Sequence, residues 1–401
     1  MIGDITTVLK ISDSNDSVIV MTGDLFESYV MGGFECSTHR RFDGRRLDMI
    51  EATGHDRFAE ADYLRLMELG IRTCRDGIRW HLIEKTPGNC DFASVRRQLN
   101  AAQRTGIQVI WDIFHYGYPD DLDIFSAEFP ERFVSFAVAF TDYHVAETGQ
   151  LPIICPVNEM SFFAWIAGDI GRFYPFAKSR ADELKKQLVR SSILAIKTIR
   201  ERYPAIRVVA TEPLVNVISR PDDGNYAAEA ERYRKKQFQV FDMLTGRLAP
   251  ELGGKPEYLD IIGVNYYPHN QWFFPDREMI PVGDPLSRPF SDMLVELWQR
   301  YHRPIFIAET GTEDERRAPW FTYVVNECDE AIRRGVDLQG ICIYPIVDHP
   351  GWEDERHCRN GLWGYCTDSG DRTVHGPLAS EIKKYQVWSS ARERTVAGGS
   401  E

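Results

Sequence analysis

The sequence predicts an α/β protein built as a single-domain (β/α)8 TIM barrel. Three observations lead there. Eight short apolar runs recur along the chain, at residues 30–36, 70–77, 108–114, 152–157, 207–211, 258–264, 304–308 and 340–346. Amphipathic helical stretches lie between them. Polar residues able to do chemistry recur at the C-terminal ends of the runs. Strand and helix alternating eight times point to a closed parallel barrel, and an open doubly wound sheet usually has fewer units.

The helices read at 56–69, 181–202, 227–244, 292–300 and 318–334. In the first, Phe58, Ala61, Leu64, Leu66 and Leu69 follow helical spacing. Residues 21–388 form the expected barrel. Residues 1–20 read as a leader, with the polar turn-like run Ser12 to Ser17. Residues 389–401, rich in Arg, Gly and Ser, read as a frayed tail. No Pro/Gly/Ser linker divides the chain.

Composition narrows the function classes. The chain of 401 residues is 43% hydrophobic and 27% charged, enough for a sizeable core. Its formal net charge of −13 argues against nucleic-acid or anionic-membrane partners, which call for basic patches. No basic leader with an apolar run, and no span of about 20 apolar residues, is present. Cys36, Cys74, Cys155 and Cys342 sit in apolar runs, where Cys acts as a small hydrophobe. The Cys358/Cys366 spacing fits no metal motif. A reduced, cytoplasmic protein with no metal and no cofactor is expected. Nine Trp and seventeen Tyr suit a site that stacks rings on sugar faces.

The strand ends carry the chemistry. Run 2 holds Arg75, run 3 ends in His115, and run 4 in Asn158-Glu159. Run 6 ends in Asn265-Tyr266-Tyr267, run 7 in Glu309, and run 8 near Asp348-His349. In a barrel these ends share one rim, which is the active-site face. Two carboxyl groups flanking a scissile bond are what glycoside cleavage needs. Glu159 and Glu309 supply the candidates. Glu212-Pro213 on run 5 is read as a secondary rim residue, and Glu35 and Asp112 as structural.

At these motifs the chain resembles glycoside hydrolase family 1, the β-glucosidase-type barrels, as a divergent member. The resemblance runs from about residue 30 to 370. Asn158-Glu159-Met160 is similar to the family's Asn-Glu-Pro. Glu309-Thr310-Gly311 is similar to its Glu-Asn-Gly. Leu259 to Tyr267 resembles its strand 6, and Cys74-Arg75 through Gly88 its strand 2 region. His115-Tyr116 with Pro119 resembles its sugar-contacting His-Trp. Asp348 to Trp352, then Arg359 to Leu362, resembles its strand 8 loop.

The resemblance implies a retaining β-glycosidase that hydrolyses O-glycosidic bonds through a covalent glycosyl-enzyme. Glu159 would be the acid/base and Glu309 the nucleophile, with carboxyl groups about 5–5.5 Å apart. Arg75 would keep Glu309 ionised, and Tyr266 or Tyr267 would hydrogen-bond it. Asn158 would bind the sugar 2-hydroxyl. His115, Tyr344 and Trp352 would line the sugar subsite. Tyr344-Pro345 is expected to be cis, as the barrel clan has a cis peptide there.

The recognition wall departs from the family. Its strand 1 Gln has no clear match within Phe34 to Arg40, where His39 or Arg40 takes that place. Its strand 8 Glu falls at Gly351, with Glu353 and Glu355 shifted. Glucose specificity is therefore not carried over. The expected partner is a small glycoside or oligosaccharide, and homo-oligomerisation stays open. The rivals are a transglycosidase using the same pair and a sugar-binding pseudoenzyme. A barrel aldolase or isomerase ranks last, because Gly311-Thr312-Glu313 is acidic where a phosphate grip would sit.

Overall fold

The computed structural model describes residues 25–397 except Asp223 and Glu355, with side chains as far as Gln386. The expected leader, Glu355 and residues 398–401 lie outside the described residues. The last helix, Gly376–Ala397, runs through Ser389, where fraying was expected to begin. Its Ala, Arg and Glu residues are good helix formers.

Eight strands close a barrel. They are β1 (Val30–Gly33), β2 (Thr73–Gly77), β3 (Gln108–Asp112), β4 (Ile153–Cys155), β5 (Arg207–Pro213), β6 (Ile261–Asn265), β7 (Ile305–Thr310) and β8 (Leu338–Ile343). Each pairs in parallel with its sequence neighbours, and β8 closes on β1 through Val30 opposite Ile341. The fold class read from the sequence is thus the one observed. All eight runs are strands, and all five helices are present. The stretch at 227–244 is broken by a 3₁₀ turn at Lys235–Phe238.

Two outer helices between strands went unread, Ala93–Thr105 and Glu128–Thr148, as did the last helix. The second buries Phe129, Phe133, Phe136 and Phe140 together with Thr141 and His144, so its buried arc is too broad for a clean stripe. Its Pro130 falls in the first turn, where no intrahelical N–H is lost.

The strands read as unbroken apolar runs because both faces are covered. Inside the barrel, Met31, Ile110, Cys155, Val209, Ile261, Phe306, Ala308 and Cys342 interdigitate below Tyr344, with Phe26 at their edge. Phe26 lies against Phe306 at 5.0 Å between ring centroids. The larger core lies between strands and helices. Among the described residues no helix is long and apolar enough to cross a membrane.

Gly33 shows how tightly the interior limits the site. A Cβ there would lie 2.1 Å from Cδ2 of Tyr344, a side chain buried at 1% exposure. Gly33→Ala is expected to cost about 1–3 kcal/mol, the usual toll of overpacking, read from urea unfolding. An unchanged midpoint would show that Tyr344 is free to move.

Candidate active site

The site is assembled from strand ends. β4 formally stops at Cys155, but Asn158 still bridges to Thr211 on β5, and Glu159 N–H donates to Thr211 O at 3.2 Å. Glu159 therefore projects from an extension of β4. Its φ of 41° is left-handed, a strained conformation for a residue with a Cβ. The short helix Met160–Trp165 starts directly after it. Glu212 Oε1 accepts the N–H of Ser161 at 3.0 Å and anchors that start. Glu309 projects from β7. A register shift between Val264 and Asn265 sets Asn265 opposite it, the kind of local irregularity that re-aims side chains.

Arg75 lies at the floor, fully buried. It holds Asp112 through Nε to Oδ1 at 3.0 Å and Nη2 to Oδ2 at 2.7 Å. Its Nη1 donates to Glu309 Oε1 at 2.7 Å, and Nη2 to Asn158 Oδ1 at 2.6 Å. Asn158 Oδ1 also accepts from Thr211 Oγ1 at 2.8 Å. With its oxygen held twice, Asn158 must present its NH2 on the other side. There it donates to Tyr116 Oη at 3.1 Å and meets His115 Nε2 at 3.1 Å. Tyr116, itself left-handed at φ 69°, donates its O–H to Glu159 Oε2 at 2.9 Å.

Two influences on His115 pull apart. Burial disfavours its charge, while Asp112 and Glu35 favour it, and the balance is upward. Yet Asn158 cannot turn without losing Arg75 and Thr211, so Nε2 must offer a lone pair. Nδ1–H then donates to Asp112 Oδ2 at 2.9 Å. We take the ring as neutral, because the hydrogen-bond geometry leaves no room for a second N–H.

The two candidate carboxyls sit in different fields. Burial, and then the charge of Glu309, push Glu159 up to about 8. Burial also pushes Glu309 up, and it stays raised although the Arg75 guanidinium opposes the shift. Tyr267 Oη donates to Glu309 Oε2 at 2.9 Å. The choice between the two tyrosines is settled by this bond. Tyr266 points away from Glu309, stacks on Phe290 at 3.9 Å and accepts from Gln271 Nε2 at 2.9 Å.

A cavity of about 1020 Å3 opens above the pair. Glu35, Glu159, Tyr267, Glu309, Tyr344 and Trp352 line its inner part, and Trp165, Tyr233 and Trp272 its outer part. Tyr344–Pro345 is cis, and the Tyr344 ring lies 5.4 Å from the Arg75 guanidinium. Trp352 packs against Tyr116 and Phe162, with its indole N–H unpartnered.

Several sequence expectations need correction. His39 does not reach the cavity. It stacks on Phe173 at 3.8 Å and backs Trp352, and burial drops its pKa to about 3. Arg40 pairs with Asp120. His115 and Asn158 are spent on the network beneath the pocket, so each would touch a sugar only by exchanging a partner. Asp348 pins its own loop, accepting from Gly361 N–H and His357 Nε2 at 2.8 Å each. Glu353 lines the cavity but is bound by Arg172 at 2.9 Å.

Two side chains dismissed as structural matter here. Glu35 lines the cavity, and Asp112 is the base of the Arg75 network. A polar residue inside an apolar strand run, as Asp112 is, was the signal available for the second.

Cys36, Asp112 and His115 bring potential ligand atoms within 4.8 Å of one another. Both Asp112 oxygens already face the Arg75 guanidinium, which disfavours a second cation there.

Comparison with known proteins follows this geometry. No family model matches the chain. A β-galactosidase from Sulfolobus acidocaldarius is 26% identical over 201 residues, 42% of this chain and 40% of that protein. The match thus spans well under half of that relative. The structural likeness is broader. A Thermotoga maritima β-glucosidase in complex with glucoimidazole superposes with a TM-score of 0.73 at 16% identity, over 90% of this chain and 98% of that one. The family 1 β-glucosidase from Thermotoga maritima gives 0.70 at 17% identity, over 86% and 89%. The fold is that of family 1 β-glucosidases, and the resemblance read from the motifs holds at that level.

The field at Glu159 makes a prediction. Its folded pKa lies above the unfolded value of about 4.3, so the fold favours the protonated form. Stability is then full at low pH and falls as pH rises toward about 8. Glu159→Gln cannot ionise. Its melting temperature should exceed that of the wild type by a margin that grows between pH 5 and pH 9. A margin independent of pH would contradict the raised pKa.

Proposed function

We propose that the protein is a retaining β-glycosidase, with Glu309 as nucleophile and Glu159 as acid/base. One observation carries this reading. The two strand-end carboxyls share a cavity, yet Arg75 and Tyr267 stabilise the charge on one while burial keeps the proton on the other. Two carboxyls in one cavity, one held by a cation and a hydroxyl and the other without a cation, suit a division into nucleophile and acid.

In the first step Glu309 attacks the anomeric carbon as the glycosidic C–O bond breaks. Glu159 gives its proton to the leaving oxygen. Esterification removes the negative charge that holds the Glu159 pKa up. Glu159, now ionised, takes a proton from water, whose oxygen displaces Glu309 from the sugar. Two displacements restore the β configuration. Tyr267 and Arg75 keep Glu309 oriented in both steps. Asn158 would serve the 2-hydroxyl by releasing Tyr116. Tyr344 and Trp352 would offer ring faces to the sugar, and the aromatic outer cavity would receive the aglycone. No step calls for a metal or a cofactor.

A panel of aryl β-glycosides tests the reading. Glu309→Ala should lose activity by about 10³-fold or more, with azide restoring turnover and giving an α-glycosyl azide. A β-azide would reverse the assignment. The alkaline limb of kcat/KM for the wild type should fall near pH 8, where Glu159 loses its proton. For activated aryl leaving groups, Glu159→Ala should slow the second step and keep much of the first. Tyr267→Phe should lower kcat by about 10–100-fold with little change in KM, as expected for a bond that matters at the transition state. An unchanged kcat would remove Tyr267 from the mechanism.

A further inference from the structure

The inner cavity holds a third carboxylate, and it has no counter-charge. Glu35 lies two residues beyond β1 and is 4% exposed. It lines the same cavity as Glu159 and Glu309. Its Oε1 accepts the Ser37 N–H at 2.9 Å. Among the described residues nothing donates to Oε2. The nearest ring nitrogen, His115 Nε2, is 3.9 Å from Oε1, and its lone pair already faces the Asn158 amide. Arg75 is taken up by Asp112, Glu309, Asn158 and the carbonyl of Ala308. The charge of Glu35 is nonetheless felt at Glu309, Tyr116, Tyr267 and Tyr344, which surround the reacting position.

Two features separate Glu35 from a structural cap. Binding one N–H needs one oxygen, and a Gln would serve. A carboxylate accepts only, and a buried one without a cation is costly. Three donors close to the carboxyl pair are already committed: Tyr116 donates to Glu159, Tyr267 to Glu309, and the Asn158 amide to its neighbours. Besides the unpartnered N–H groups of Trp352 and Asn265, what remains open is a carboxylate acceptor. A ligand ammonium would satisfy it by a charge-assisted hydrogen bond. The order of groups places that ammonium. On the reading above Glu309 would meet carbon 1 and Asn158 the 2-hydroxyl; His115 Nε2 lies 3.1 Å from the Asn158 amide, and Glu35 Oε1 lies 3.9 Å further on from His115 Nε2.

Resting on the β-glycosidase reading, we propose that the preferred glycone is an amino sugar whose protonated amine, at carbon 3 or 4, is bound by Glu35.

The test compares 4-nitrophenyl β-glucoside with its 3-amino-3-deoxy and 4-amino-4-deoxy analogues and their N-acetyl derivatives. Wild type should favour one free amine over the parent sugar by about 10–100-fold in kcat/KM, the range of a charged hydrogen bond. N-acetylation should abolish the advantage without any change to the protein. Glu35→Gln, which keeps the Ser37 bond, should bring the ratio of kcat/KM on the amine to that on the neutral sugar down to about one. Calorimetric binding of methyl 3-amino-3-deoxy- and 4-amino-4-deoxy-β-glucosides to wild type and to Glu35→Gln gives a readout independent of turnover. Glu35-dependent binding with no cleavage of any aryl glycoside in the series would sink the glycosidase reading and leave only the ammonium-binding role of Glu35 standing. Cleavage of neutral glycosides with azide rescue, and no amine preference, would overturn this inference alone. Equal losses on amine and neutral sugar in Glu35→Gln would also overturn it.

Discussion

Everything at the mouth of this barrel depends on the guanidinium of Arg75. It is fully buried, and it ties together four strands: its own β2, Asp112 on β3, the Asn158 extension of β4 and Glu309 on β7. Its planar fork suits this task, since the bidentate grip on Asp112 fixes the plane in which the other N–H groups point. The consequences run outward in order. Asn158 is oriented by Arg75, His115 and Tyr116 by Asn158, and Glu159 by Tyr116. Replacing Arg75 with a Lys would keep one charge and lose the geometry. Such a change would disturb both carboxyls together, although only one of them touches the guanidinium.

The network also explains how two acidic side chains in one cavity acquire unlike character. The inner surface offers the same dry surroundings to both. What differs is the supply of donors: Glu309 receives two, one of them charged, and Glu159 receives the hydroxyl of Tyr116. The asymmetry is a property of the strand order, because β7 faces β2 across the barrel interior and β4 does not deliver a cation.

The fold was legible because its determinants are local and repeated. Eight apolar runs and their intervening helices needed no knowledge of long-range contacts. The carboxyl pair and Arg75 were legible for a related reason, since each sits at a strand end, where position in the run announces the rim. The recognition wall was harder. His39 looked like a sugar contact by its place in the sequence, but Phe173, far along the chain, captures its ring. Glu35 was set aside although it faces the cavity, because which way a residue points two positions past a strand depends on a turn that periodicity does not describe. Tyr266 and Tyr267 are adjacent and chemically alike, and the packing partner Phe290 decides which of them turns away.

The backbone of Glu159 has a consequence for how this chain drifts. A left-handed conformation suits Gly or Asn better than Glu, and the buried carboxyl is penalised once more whenever it ionises. Replacement by Gly or Asn at this position would therefore relieve the backbone and remove the buried acid. Proteins lose such residues readily when nothing selects for them, since natural chains sit close to their stability threshold. A lineage that had stopped turning over substrate would have had a downhill route away from Glu159. Glu159 thus sits, strained and buried, at the head of a short helix, where the fold alone gives no reason for a carboxyl.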